Sequence, residues 1–466
     1  MSFEDTYDLV VLGGGSAGET AAGRVAAAGR RVALVESRLV GGECPYWGCI
    51  PSKALLIAAS RRRQAQAAVQ LGAVVHPMDV GDPVQAWHQA VRIRDDRAKH
   101  LDDSEAVQEL TKQGVEIVRG RGSITGSAVS VEGRDLHYRN LLISVGASPV
   151  LPPIEGLEDV DPWTSDDALT SSELPESLVI LGGGAIGVEL AQVYSTFGTE
   201  VTIVEGVDRL LAMEEPEISH GVREVLAETA VRVVLGADVR RVSRADQVTT
   251  LHLADGSSVS AARLMVATGR KPRLAELGLE SIDIDPKAGL AVGEDGRIAG
   301  HDNVYAAGDV TGQFPFTHTA NYAGRVIAAN VLGGRHRMNL NAVPRAVFVD
   351  PPVAGVGRTT EQAEKDGVHV VRATMDIGTT ARGWLENEQG TLVLTADADR
   401  GTILGASAIG MRSDDWISQI TLAIRAQVPL SVLVDTIQPF PAASEALFPA
   451  YEDLHRQAEV VAAKSG

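Results

Sequence analysis

The first regular pattern in the chain is an apolar run, residues 9–12, that breaks at closely spaced glycines. It gives way to an alanine-rich segment and resumes as a second apolar run, 32–35, ending on Glu36. Short uninterrupted apolar runs predict strands covered on both faces, and a helical stretch between two of them predicts a βαβ unit. The pattern returns over 178–205, where LVILGGG leads through a helical segment into VTIVE. Between the two copies, 54–72 and about 83–114 carry apolar residues at three- and four-residue spacing and predict helices. Short strands with glycine turns follow over 115–131, then an apolar piece at 141–145. From about 342 onward, strand-like segments (345–348, 368–373, 391–395) are mixed with helical ones (359–366, 414–426). The fold class is therefore α/β: two Rossmann-like domains built on these βαβ units, followed by a C-terminal α+β domain.

The breaks in the apolar runs carry the chemistry. Gly13, Gly15 and Gly18 open the first helix, and Gly182, Gly184 and Gly187 open the second. The interval from first glycine to closing acid, Glu36 or Glu205, is 23 residues in both copies. Glycines in this spacing permit a tight turn and close approach of a pyrophosphate. The helix N-terminus favours its negative charge, and the acid accepts a ribose hydroxyl. One chain thus binds two dinucleotides. Glu205 also favours a free 2′-hydroxyl over a 2′-phosphate, which predicts NADH rather than NADPH in the second site.

One further stretch stands apart, GGECPYWGCIPSK at 41–53, because it holds Cys44 and Cys49, the only two cysteines of the chain. Residues five apart in a regular helix have Cα atoms about 8–9 Å apart, beyond the roughly 7 Å that a disulfide spans. A bridge therefore needs a distorted backbone, for which Pro45 and Gly48 are suited. Pro51 favours the first turn of a helix through Lys53, which sets Cys49 at a helix N-terminus where a thiolate is stabilised. A metal centre needs three or four ligands, and no third cysteine or nearby histidine exists; no metal site is expected.

Length and charge narrow the partners. A chain of 466 residues holds several domains, and a formal charge of −19 without a basic patch excludes nucleic acid as an expected partner. Arg61–Arg63 reads as a solvated helix face. The N-terminus runs into a strand without a signal-peptide pattern, and no run of about 18 apolar residues exists to span a membrane. A soluble cytoplasmic protein is expected, in which a disulfide is more often catalytic than structural.

The 41–53 stretch closely resembles the active-site motif of the flavoprotein disulfide reductases, the family of lipoamide dehydrogenase, glutathione reductase and mercuric reductase, usually GG-T-C-x4-C-[IV]-P-[ST]-K. Glu43 stands where most members carry Thr. The resemblance extends over nearly the whole chain, through Ala267–Pro272 and the segment Val304-Tyr305-Ala306-Ala307-Gly308-Asp309. It implies FAD in the first nucleotide site, with Gly42, Lys53, Gly120, Ser144, Gly146, Asp309 and His318 among its contacts besides the first fingerprint. It implies a nicotinamide nucleotide in the second, with Gly269 a further cofactor-site residue beside that fingerprint. It also implies Cys49 as the thiol next to the flavin, Cys44 as the interchange thiol, and Lys53 paired with Glu189. The domains it implies are an FAD domain at 1–149 and 271–340, an NAD domain at 150–270 and a dimerisation domain at 341–466 that makes a homodimer.

Members that reduce disulfides end in H-x-H-P-T-x-[SH]-E, whose second His protonates the leaving thiolate while the Glu orients it. Here the segment is Gln438-Pro439-Phe440-Pro441-Ala442-Ala443-Ser444-Glu445. Phe440 stands in the place of the acid–base His and transfers no proton, while Glu445 remains as a candidate site residue. Three readings follow: an FAD-dependent oxidoreductase passing electrons from NADH through Cys44–Cys49 to a disulfide or other small-molecule acceptor; an NAD(P)H:quinone or metal-ion reductase in which the dithiol is not essential; and a non-catalytic flavin-binding redox sensor.

Overall fold

The structure, a computed structural model, describes residues 6–465. The described residues divide into two compact units, the first made of 6–52, 92–150 and 269–339 and the second of 53–91, 151–268 and 340–465.

The first unit is built on a five-stranded parallel sheet in the order Val304–Ala306, Leu141–Ile143, Leu9–Leu12, Val32–Glu36, Val115–Arg119. Its unbroken apolar runs follow from cover on both faces. Leu9, Val11, Leu34 and Leu142 pack with Ala17, Ala21 and Ile327 of two helices, Ser16–Ala27 and Thr317–Val331. Val10, Leu12, Ala33 and Ile143 face the opposite way and pack with Val129 and Leu136 of a small antiparallel sheet, Ser123–Ile124, Ala128–Val131 and Arg134–His137. The two helices approach so closely that a Cβ at Gly324 would lie 2.6 Å from the Ala17 carbonyl oxygen.

The second unit repeats the plan. A four-stranded parallel sheet runs Arg232–Val234, Glu200–Val204, Ser177–Leu181, Arg263–Val266. Leu178 and Ile180 pack with Val188 and Val193 of the helix Ala185–Thr196. Val179 and Leu181 pack with Leu251 and Val259 of a three-stranded antiparallel excursion. The unit also contains a five-stranded antiparallel sheet, ordered Pro344–Val347, Val353–Gly357, Thr402–Ile409, Thr391–Asp397, Val370–Asp376. Helices Ser413–Arg425 and Leu447–Ser465 cover it with Ile417, Ile420 and Leu454.

Two expected elements differ. The helix expected over about 83–114 is two helices, Pro83–Arg97 and Ser104–Lys112, separated where Lys99, His100 and Leu101 all take positive φ. Beyond this break Asp103 accepts the Val40 N–H at 2.6 Å and a bond from Arg119 at 2.6 Å. The strand Thr402–Ile409 was not anticipated, because its run of small residues, Gly405-Ala406-Ser407-Ala408, carries little apolar signal. Among the described residues, no helix is long and apolar enough to cross a membrane.

Candidate active site

The dithiol segment begins with a turn only glycine enters easily. Gly41 and Gly42 have φ of +112° and +68°. A Cβ on Gly42 would lie 2.7 Å from the Gly15 Cα, and the Gly41 N–H donates to the Gly14 carbonyl at 2.8 Å. The segment is thereby seated on the first glycine loop. A short helix, Glu43–Tyr46, ends at Trp47, and a new helix, Cys49–Ala67, starts at the second cysteine with Pro51 in its first turn. The backbone between the cysteines is broken, as a bridge requires, and both are thiols here. A hydrogen bond with Cys49 pushes the Cys44 thiol well up, burial adds to this, and the Thr317 hydroxyl opposes it. Cys49 Sγ lies 3.3 Å from Thr317 Oγ1. Thr317 opens its helix, and its neighbour His318 stacks on Phe316 with ring centroids 5.2 Å apart.

Glu43 is held by arginines. Its Oε2 accepts from Arg270, and its Oε1 accepts from Arg273 at 2.6 Å with Arg38 3.9 Å away. Burial raises the nearby Asp309 carboxyl, while Arg270 and Arg273 oppose the rise.

The residues of both glycine loops fit a dinucleotide. Glu36 accepts the Gly14 N–H at 2.7 Å and the Arg38 N–H at 2.6 Å, one on each oxygen, so each oxygen keeps a lone pair for a ribose hydroxyl. Ser144 Oγ donates to the Gly13 carbonyl at 2.8 Å, and a Cβ on Gly13 would meet the Ser144 carbonyl at 2.5 Å. Glu205 is placed in the same way, accepting the Gly183 N–H at 2.5 Å and the Val207 N–H at 3.0 Å. Neither helix has a side-chain cap, and Gly15 and Gly184 stand at their N-caps, leaving N–H groups directed at an anion. Gly120, Gly146 and Gly269 all have positive φ, and the Gly120 N–H donates to the Glu36 carbonyl at 3.0 Å.

In the second unit the Glu189 carboxylate accepts from Lys53 Nζ at 3.0 and 3.2 Å and from the Phe348 N–H at 2.8 Å, with Nζ 4.5 Å from the Phe348 ring centre. Glu189 is almost fully buried, so the ammonium balances a charge that would otherwise be costly. Glu445 is occupied elsewhere. Its oxygens accept from the Ala381 N–H at 2.9 Å and the Arg382 N–H at 3.3 Å, at the start of the helix Ala381–Glu386. Phe440 is 75% exposed and lines a cavity of about 700 Å³ with Met375, Thr380, Glu445 and Phe448. Among the described residues the buried Tyr451 hydroxyl has no hydrogen-bond partner, and His455 lies 3.5 Å from Glu459.

Sequence reasoning missed Thr317 as a partner of Cys49 and the arginines around Glu43. The Arg270 and Arg273 contacts join residues 227 and 230 positions apart, and no local pattern announces them. Among the described residues no cluster of metal-ligating side chains occurs.

Residues 7–324 match the family described as pyridine nucleotide-disulphide oxidoreductase, and residues 343–451 match its dimerisation domain. A mercuric reductase from Staphylococcus aureus is 31% identical over 95% of this chain and 81% of its own length. A dihydrolipoyl dehydrogenase from Bacillus subtilis (strain 168) is 32% identical over 95% and 96%. Among solved structures, the HOCl-induced flavoprotein disulfide reductase RclA from Escherichia coli superposes with a TM-score of 0.81 at 30% identity, covering 96% of this chain and 99% of that one. The repeated glycine loops, the paired cysteines and these matches lead to one assignment: the chain belongs to the pyridine nucleotide-disulphide oxidoreductase family of flavoprotein enzymes, whose members bind FAD and a pyridine nucleotide.

Proposed function

We propose that this protein takes electrons from NADH and passes them through Cys44 and Cys49 to a small acceptor. The observation that carries the reading is the pair of thiols, held on either side of a helix break in a segment seated on the first glycine loop.

Gly13, Gly15, Gly18, Glu36, Gly42, Gly120, Ser144, Gly146, Asp309 and His318 are proposed to hold FAD, with Lys53 supplying a cation. Gly182, Gly184, Gly187 and Glu205 would hold the nicotinamide nucleotide, with the Glu205 carboxylate selecting NADH, and Gly269 is a further proposed cofactor contact. Bound FAD supplies two-electron chemistry between a reduced nicotinamide and a disulfide. Opening the Cys44–Cys49 bridge takes two electrons and two protons and leaves two thiols. Cys44, which keeps its proton, must lose it to attack an acceptor disulfide. That attack gives a mixed disulfide and one released thiolate, and Cys49 then displaces the second by attacking Cys44. Each departing thiolate needs a proton. Phe440 has none to give, and the Glu445 oxygens already serve two amides. This favours acceptors whose leaving group needs little protonation, and gives weight to a second reading in which a quinone or a metal ion is the acceptor. A homodimer built through 341–466 is the proposed assembly.

The test is anaerobic NADH addition to oxidised protein, followed by acid quench, alkylation and mass measurement. Two alkyl groups per chain are expected after NADH and none before; no gain after NADH would sink the dithiol route. Cys44→Ser then separates acceptors, because reduction of a disulfide should stop while direct reduction of a quinone survives.

A further inference from the structure

Glu43, next to Cys44, is surrounded by positive charge. Arg270 and Arg273 each bond one of its oxygens, and Arg38 lies 3.9 Å away with its guanidinium 3.8 Å from the Trp47 ring centre. The arginines are themselves anchored. Arg270 also donates to the Ala147 carbonyl at 2.8 Å, and Arg273 Nε donates to Ser148 Oγ at 2.6 Å. Both acceptors belong to a strand, Ala147–Pro149, that pairs with Arg270–Pro272. Asp309 is the other acid in the field of Arg270 and Arg273. A residue without two acceptor oxygens cannot take one bond from each of two guanidiniums in this way.

We propose that Glu43 is a positioning residue whose carboxylate seats the dithiol turn on the Arg270–Arg273 pair and cancels the field of that pair at Cys44, thereby setting the reduction equilibrium of the bridge. The proposal rests on the reading of Cys44 and Cys49 as a redox pair. Glu43 with Asp309 opposes three guanidiniums; without it, one further unit of positive charge stands beside the cysteines. Positive charge favours thiolate, a stabilised thiolate favours the reduced pair, and the bridge becomes a stronger oxidant. One unit charge at roughly 8 Å, in a medium between protein surface and water, changes such an equilibrium about fivefold.

The experiment equilibrates the holoprotein anaerobically with mixtures of reduced and oxidised glutathione, quenches in acid, and counts alkylated cysteines by mass. In this equilibrium the bridge takes two electrons from two glutathione thiols, which join as one glutathione disulfide, and their two protons divide between the reduced pair and the buffer according to how much of the pair is thiolate. Glu43→Gln is expected to move the midpoint about fivefold toward the dithiol. Arg273→Gln should move it the opposite way. In an Arg270→Gln, Arg273→Gln background, where nothing clasps the carboxylate beside Cys44, adding Glu43→Gln should shift it less than about twofold. An unmoved midpoint in both single variants, or an equal Glu43→Gln shift in both backgrounds, overturns the proposal. Absence of any transition in the wild-type protein overturns the redox-pair reading itself and this proposal with it.

Discussion

In the first glycine loop a Cβ on Gly18 would lie 2.1 Å from the Gly13 carbonyl oxygen; in the second, a Cβ on Gly187 would lie 2.0 Å from that of Gly182. Gly13 is pressed against the Ser144 carbonyl and Gly182 against the Ala267 carbonyl, each at 2.5 Å from the would-be Cβ. The closing acids bond their loops alike. The two cradles nevertheless end in different surroundings within their own units. At Gly15 the dithiol segment lies alongside, with Gly42 Cα 3.9 Å from the would-be Cβ, whereas none of the described residues lies within 4 Å of the same position at Gly184. On the proposed assignment of FAD to the first loop and the nicotinamide nucleotide to the second, one backbone device serves two purposes. The covered loop suits a nucleotide that stays, and the open one a nucleotide that enters and leaves at each turnover.

Breaking either loop should separate those purposes. Gly18→Ala is expected to lower flavin content of the purified protein at least about tenfold, because the new methyl strikes backbone that cannot give way. Gly187→Ala should retain its flavin, seen in the visible spectrum, and lose NADH binding by a similar factor. If Gly187→Ala also empties the flavin site, the loops are not independent. A smaller effect is expected from the acids. Glu205→Gln should raise the NADPH to NADH ratio of kcat/KM about tenfold by removing a like-charge clash with the 2′-phosphate. Glu36→Gln should leave that ratio unchanged and only weaken flavin retention.

The smallest difference is a matter of pH. Gly18 is followed by Glu19, Gly187 by Val188. Burial first, and then the nearby Glu36 charge, push the Glu19 carboxyl from 4.5 up to about 7. Below pH 4.5 it is protonated in folded and unfolded chains alike. As pH rises from 4.5 to about 7 the unfolded chain ionises and the folded one does not, so this part of the stability is lost across that window. Partial exposure limits the loss to about 1 kcal/mol. Urea midpoints at pH 4.5 and 7.5 should differ less in Glu19→Gln than in the wild type, and an unchanged difference would remove Glu19 from the account.

What the sequence made legible was local. Two strand–glycine–helix–strand units, with their acids, follow from a period of apolar residues and a fixed interval, and the structure places each as read. The helix break between Cys44 and Cys49 was legible because Pro45 and Gly48 sit in a span a bridge cannot cross in regular helix. The Arg270 and Arg273 clasp on Glu43 was not, because a salt bridge leaves no periodic trace and its partners are more than two hundred residues away. Glu445 was legible as an acid in a familiar position, but its work at the start of the helix Ala381–Glu386 depends on a fold that brings 445 to 381.

That cap has a consequence for engineering. A designer wishing to install proton transfer in this enzyme would first place histidine at 440, the position where the exposed phenyl ring now stands. The imidazole would meet an acid already held still, since each oxygen of Glu445 takes one bond from the backbone of Ala381 or Arg382 and keeps a lone pair for a further donor. Retrofitting the chemistry therefore starts from a carboxylate that the 381 helix has fixed in advance, and asks first for a single new ring at 440.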